Sequence, residues 1–195
     1  MLLGLDVGGT FTDAVIIDGH RVVATAKRRT TKDNLMNGIG EALDAVLEGY
    51  DTSNIEQVTL STTVVTNTIV EEKEQVVDLY VVTGPGRNVD DIFPVKPIYL
   101  QGYTDHRGIV VEHTPADAVR GIANMVQARS GTDLAAVSAK FGVRNPQEEL
   151  SITEELKNTY HTISNGSLLS GSLNFPRRTI SAYFNSAVTP VFTVF

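Results

Sequence analysis

Near its amino terminus the sequence reads Asp6-Val7-Gly8-Gly9-Thr10-Phe11-Thr12-Asp13, a set of residue types suited to holding a phosphate. Phosphate is bound well by backbone N–H groups that no side chain screens, and consecutive glycines in a tight turn form such a concavity. Gly8 and Gly9 can supply the turn, and Thr10 and Thr12 can add hydroxyl donors. Asp6, at the end of an apolar run, can hold the hydrated Mg²⁺ that accompanies ATP, because that ion takes carboxylate plus water. If the strand has resumed by Thr12, Asp13 points the opposite way. The pattern lacks the Lys-Ser/Thr pair of a Walker loop, and its glycines join strand to strand, unlike a dinucleotide fingerprint. Gly-Gly alone is also an ordinary two-residue hairpin turn, whose positive φ angles need no ligand. The longer Asp-x-Gly-Gly-Thr-x-Thr-Asp string favours the phosphate reading.

The elements that must position this turn are legible on either side of it. Residues 2–7 and 12–17 are runs rich in β-branched and apolar types, predicting a hairpin, and Asp18-Gly19 turns into a third strand at 21–26. Leu35, Ile39, Leu43, Val46 and Tyr50, widened by Met36, Ala42 and Leu47, recur at the spacing of an amphipathic helix, with Asp33 as its expected N-cap. A strand at 57–61, a helix at 62–72 opening on hydroxyls and an apolar strand at 76–83 follow. Residues 88–113, punctuated by Pro94, Pro97, Gly102 and Gly108, predict an irregular excursion with a short hairpin. Thr114-Pro115 reads as N-cap and first helical residue, with Val119, Ile122, Ala123 and Val126 as the buried stripe. A buried strand at 134–139 and a helix opening at Asn145-Pro146, with Glu148 near its positive end, repeat the alternation. A last helix is expected at 176–188, stopping before Thr189-Pro190 because proline disfavours helix in the residue before it. Hairpins first and strand–helix units afterwards predict an α/β mixed sheet with helices on its faces.

Composition narrows the classes further. The 195 residues are 42% hydrophobic and 20% charged, a globular balance with length for one sizeable domain or two small lobes. There is no cysteine, which removes disulfides, thiol nucleophiles and thiolate metal sites together. A net charge of −7 with 7% aromatics argues against a general nucleic-acid surface. The one basic run, Lys27-Arg28-Arg29, reads as a solvated strand end. His20, His106, His113 and His161 lack metal-ligand spacing and read as surface or loop residues. No apolar run approaches a membrane span and no signal peptide is evident, so a cytoplasmic protein with no membrane partner is expected. The apolar alternation Val191-Phe192-Thr193-Val194-Phe195 reads as the start of a strand, and so as a fragment cut short.

The turn resembles the first phosphate loop of the superfamily of sugar kinases, actin and heat-shock chaperones. Taken whole, Gly4-Leu5-Asp6-Val7-Gly8-Gly9-Thr10-Phe11-Thr12-Asp13 resembles the opening of the hydantoinase A and 5-oxoprolinase family. Ser61-Thr62-Thr63-Val64-Val65-Thr66-Asn67-Thr68-Ile69-Val70-Glu71 is similar to that family's Thr-Thr-x-x-Thr-Asn-x-x-x-Glu block. Val81-Val82-Thr83-Gly84-Pro85-Gly86-Arg87-Asn88-Val89-Asp90-Asp91 and Arg144-Asn145-Pro146-Gln147-Glu148-Glu149 follow in order. Ser138-Ala139-Lys140-Phe141-Gly142-Val143 departs from the family's more usual apolar-then-His-Ser form. The resemblance implies a ribonuclease H-like sheet forming the first lobe of an actin-like ATPase over residues 1–175, with 176–195 opening a following lobe. It implies ATP and Mg²⁺ as cofactors, the latter through Asp6, and a small cyclic amide as substrate. A second, hydantoinase B-type subunit or domain is the implied partner. Thr62, Thr63 and Asn67 would face the reacting end, although hydroxyls and an amide there serve equally to cap a helix. Two other functions stay open on the sequence: a small-molecule kinase of the same superfamily, and a non-catalytic nucleotide-binding module.

Overall fold

The computed structural model describes residues 1–31, 34–86 and 90–192, and the chain separates into two compact units, 1–73 with 190–195, and 74–189. In the first unit, β1 (Leu2–Val7) and β2 (Phe11–Asp18) form the expected hairpin, and β3 (Arg21–Arg29) adds antiparallel to β2. Helix α1 (Leu35–Leu47) follows, then β4 (Gln57–Thr62), which pairs parallel with β1, giving the order β3-β2-β1-β4. Strand alternation sends Leu3, Leu5, Ala14 and Ile16 to one face, where Ala42 and Val46 of α1 close the core. Full burial of an apolar side chain of this size is worth roughly 1.5–3 kcal/mol, so these few contacts fix which face α1 covers. Met36, expected in the stripe, is instead 49% exposed. Asn34 caps the helix by accepting from the Met36 N–H; Asp33, expected in that role, lies outside the described residues. The first unit ends with a short helix, α2 (Val64–Val70).

The second unit carries its own sheet. Strands β5 (Asp78–Val82), β6 (Ile98–Tyr99), β9 (Leu134–Ala139) and β10 (Thr162–Asn165) run all parallel in the order β10-β9-β5-β6. Between β6 and β9 lie the small hairpin of β7 (Tyr103–Thr104) and β8 (Val110–Glu112) and helix α3 (Ala116–Ser130). Helix α4 (Gln147–Leu156) precedes β10, and α5 (Gly166–Leu169) and α6 (Phe175–Phe192) follow it. Every residue of β5 and β9 is buried, as expected of strands covered on both faces. Val119 and Ala123 of α3 with Ile152 and Leu156 of α4 pack on one face, and Phe175, Ala182, Tyr183 and Ala187 of α6 on the other. Within the first of these layers the Tyr160 hydroxyl donates to Asp78 at 2.8 Å and meets the Tyr80 hydroxyl at 2.7 Å. Burial there pushes the Tyr80 phenol up to about 12.

The α/β class is as the sequence predicts; outside the small β7–β8 hairpin the strands form one mixed sheet, in which β4 joins the hairpin strands, and a separate parallel sheet of β5, β6, β9 and β10. Three local expectations change. Helix α3 begins after Pro115 without a side-chain cap; Thr114 is held instead through its N–H, which donates to the buried Glu148 carboxylate at 2.9 Å. Helix α6 runs through Pro190 to Phe192, so Val191 is helical and not the start of a strand, while residues 193–195 lie outside the described residues. Strand β10 and helix α5 were not anticipated. Among the described residues no helix is long and apolar enough to cross a membrane.

Candidate phosphate site

The chain reverses between β1 and β2 over Gly8, Gly9 and Thr10, and the Gly8 N–H donates back to the Phe11 carbonyl at 2.9 Å. Neither Gly8 nor Gly9 adopts a positive φ, which removes the ordinary two-residue turn as the reason for glycine here. Close approach is the reason instead. A Cβ on Gly8 would lie 3.0 Å from the Phe11 carbonyl oxygen, and one on Gly9 would lie 2.8 Å from the Asn67 Nδ2 atom. The N–H groups of Gly9 and Thr10 have no backbone acceptor among the described residues, leaving two donors at the tip of the turn.

The segment 62–67 is fastened onto the same turn. The Thr63 N–H and the Thr62 hydroxyl both donate to the Val7 carbonyl, at 3.3 and 3.1 Å, and the Thr62 hydroxyl accepts from the Val64 N–H at 3.2 Å. The Asn67 amide reaches back to the Thr63 hydroxyl at 3.3 Å, which aims it across Gly9. Two stretches roughly sixty residues apart in sequence therefore meet at one point. Gly8, Gly9, Asn67 and Thr68 line a cavity of about 160 Å³. That is too small for a whole nucleotide, whose pockets run to roughly 300–1,000 Å³, and sized for a phosphate end.

Not every expected residue reaches this cavity. Thr12 is fully buried; its hydroxyl pairs with that of Thr30 at 3.1 Å, and Thr30 donates to the Gly8 carbonyl at 2.8 Å. Thr12 thus stands beneath the turn and braces it, instead of offering its hydroxyl to a ligand. Thr62 has its hydroxyl engaged by backbone on both sides, so it too is a brace. Helix α2 is only seven residues long, shorter than the expected 62–72. Its short run gives the hydroxyl-rich start little macrodipole to work with. Thr30, which lines the cavity and carries the brace, was not anticipated. Its signal lies in the register: Phe11 pairs with Arg29, and the Thr30 N–H donates to the Thr10 carbonyl at 2.9 Å.

Asp6 faces a different concavity, of about 470 Å³, on the sheet surface away from α1, together with Asp13 and Lys27. Register sets Asp6 directly opposite both Asp13 and Ser61. Lys27 holds Asp13 at 2.7 Å and sits 4.9 Å from the centre of the Phe11 ring. An exposed carboxylate with a hydroxyl beside it is a hard-oxygen donor set that fits Mg²⁺ held partly by water. Among the described residues no cluster of three or more His, Asp or Glu is arranged to hold a metal, so any ion here would rely on one or two protein ligands. That is the usual mode for Mg²⁺ bound with a phosphate.

Residues 2–160 match the family described as "Hydantoinase/oxoprolinase N-terminal region". The chain superposes on nucleotide-free acetone carboxylase, from work on ATP-dependent acetone carboxylation, with a TM-score of 0.76 at 18% identity, covering 99% of this chain and 33% of that one. It superposes on the ATP-dependent caprolactamase of Pseudomonas jessenii with a TM-score of 0.69 at 19% identity, covering 99% and 32%. These likenesses are of fold, and the chain spans about a third of either relative's length. No curated protein sequence matches it.

Proposed function

The chain belongs to the hydantoinase/oxoprolinase N-terminal region family, and from that premise we propose that it is the phosphate-binding lobe of an ATP-dependent enzyme that opens a cyclic amide of the hydantoin or 5-oxoproline type. The observation that carries this reading is the contact of Gly9 with Asn67, which joins the glycine turn and the 62–67 block into one small cavity. The Gly9 and Thr10 N–H groups would hold phosphate oxygens, the Asn67 amide would donate alongside them, and Asp6 would hold Mg²⁺ through water. When bound, ATP supplies a phosphoryl group that turns the amide carbonyl oxygen into a leaving group. The protein's own contribution is to place donors and exclude clashing side chains, the positioning role on which phosphoryl transfer depends. Thr62 and Thr12, tied to backbone and to Thr30, keep those donors in place. Both fold relatives are ATP-dependent by name, one of them a lactam hydrolase, which agrees with a cyclic amide as substrate. In this reading residues 176–195 lead toward a following lobe that supplies the adenine contacts. A hydantoinase B-type subunit or domain is the partner, and the cytoplasm is the place of action.

Calorimetric titration of the full-length protein with Mg·ATP tests this. Gly9→Val should abolish binding, because its branched side chain must displace Asn67. Asn145→Ala should retain it, since the Asn145 side chain bonds the Gly108 carbonyl and the Gln147 N–H, both in the second unit. Equal binding by the two variants would overturn the assignment of the turn.

A further inference from the structure

Helix α2 ends in an uncommon way. Glu72 takes a left-handed φ of 52°, its N–H donates to the Ile69 carbonyl at 3.2 Å, and the Lys73 N–H donates to the Thr68 carbonyl at 2.9 Å. Those two bonds are the crossed pair of a Schellman ending, normally built on glycine. The reversal brings Lys73 back along the helix into the cavity that Gly8, Gly9 and Asn67 line. There its ammonium forms an ion pair with Glu71, which lies one helical turn beyond Asn67 and lines the same cavity. Lys73 is the only cation, and Glu71 the only carboxylate, among the described residues lining it.

We propose that Lys73 is a further phosphate-binding residue, kept on Glu71 until an anion enters beside the glycine turn and then transferred to it. The inference rests on the nucleotide reading given above. Magnitudes favour the exchange. The Lys73 and Glu71 side chains are 64% and 48% exposed, and an ion pair so exposed contributes little. A phosphate oxygen with charge-assisted donors already around it is the stronger acceptor. The other polar groups facing the cavity include the Asn67 amide and the Thr30 and Thr68 hydroxyls, whose protons go to the Gly8 and Val64 carbonyls, and none of them carries a charge. Among the described residues lining the cavity, Lys73 is therefore the group that brings positive charge to an entering phosphate.

Opposite signs in two variants test this, again by calorimetry of the full-length protein with Mg·ATP. Lys73→Met should weaken binding at least about tenfold, the loss of one charge-assisted bond, and Lys73→Arg should recover most of it. Glu71→Gln frees the ammonium beforehand, so binding should be unchanged or a few-fold tighter. If Lys73→Met and Glu71→Gln weaken binding alike, the ion pair is a structural clasp and the proposal fails. The proposal also fails if Lys73→Met binds as the parent does. Absence of binding by the parent protein would instead sink the nucleotide reading itself, an outcome separate from either of these.

Discussion

Gly9 and Thr30 show what single residues do at this site and how differently they appear in a sequence. Gly9 announces itself, because an Asp-x-Gly-Gly-Thr string has few uses, yet the physical reason for the glycine emerged only with Asn67 standing 2.8 Å from where a Cβ would be. Asn67 was readable as a cap or as a site residue, and its packing against Gly9 supports the proposed site role. Thr30 was not readable: the third strand was expected to stop at 26, whereas β3 continues to Arg29 and so carries Thr30 to the turn. Charged residues at a strand end give no apolar alternation by which to follow the strand further. Because Thr30 donates to the Gly8 carbonyl at 2.8 Å and pairs with the buried Thr12 hydroxyl, Thr30→Val, which keeps the shape, removes both bonds. The expected result is a loss of about 1 kcal/mol in stability, read as a lowered thermal midpoint. Mg·ATP affinity should fall about fivefold as the turn loosens, roughly another 1 kcal/mol. Unaltered affinity would show that the Thr12–Thr30 brace does not set the turn's geometry.

Elements were legible where one physical signal dominated. Period-two runs gave the β1–β2 hairpin, and the spacing of Ile39, Leu43 and Val46 gave α1, because in both cases a single buried face writes the pattern. Strand β10 has the sequence Thr-Ile-Ser-Asn and carries no such pattern. Its polar side chains are satisfied inside: Ser164 pairs with the Ser186 hydroxyl at 2.6 Å and Asn165 accepts from Thr153 at 2.7 Å. Hydrogen bonding made in the tertiary structure replaces the apolar signal, and sequence periodicity cannot register it. The expected stop before Pro190 failed: α6 continues through it to Phe192, although a proline there gives up one backbone bond and crowds the preceding turn. Glu72 is the converse case, an ordinary residue in a conformation that favours glycine. Glu72→Gly should therefore raise stability by about 1 kcal/mol, measured by denaturant midpoint. It should leave Mg·ATP binding unchanged, since the Schellman bonds are made by backbone alone. A destabilised variant would mean that the Glu72 side chain holds the chain reversal together.

At the scale of the whole molecule the net charge of −7 sets the terms on which an anionic nucleotide approaches. Free ATP is repelled more than its Mg complex, which carries less charge, so chelating Mg²⁺ should weaken nucleotide binding even if no side chain touches the ion. A local contribution from Asp6 adds to this general one, and the two can be separated. Asp6→Asn changes the net charge only from −7 to −6, so the general dependence on Mg²⁺ should persist almost intact in that variant. If Asp6 holds the ion, the ratio of affinities with and without Mg²⁺ should nevertheless shrink several-fold, because the carboxylate that favoured the complex is gone. Raising ionic strength distinguishes them again, since long-range repulsion is screened over about 8–10 Å at physiological salt while a contact at Asp6 is screened less. Titrations of both proteins with ATP, at two salt concentrations and with or without chelator, supply the comparison. An identical Mg²⁺ ratio in the two proteins would remove Asp6 from the metal site and leave the whole dependence to net charge. In that outcome the Asp6–Asp13–Lys27 row across the sheet would be a surface charge pattern.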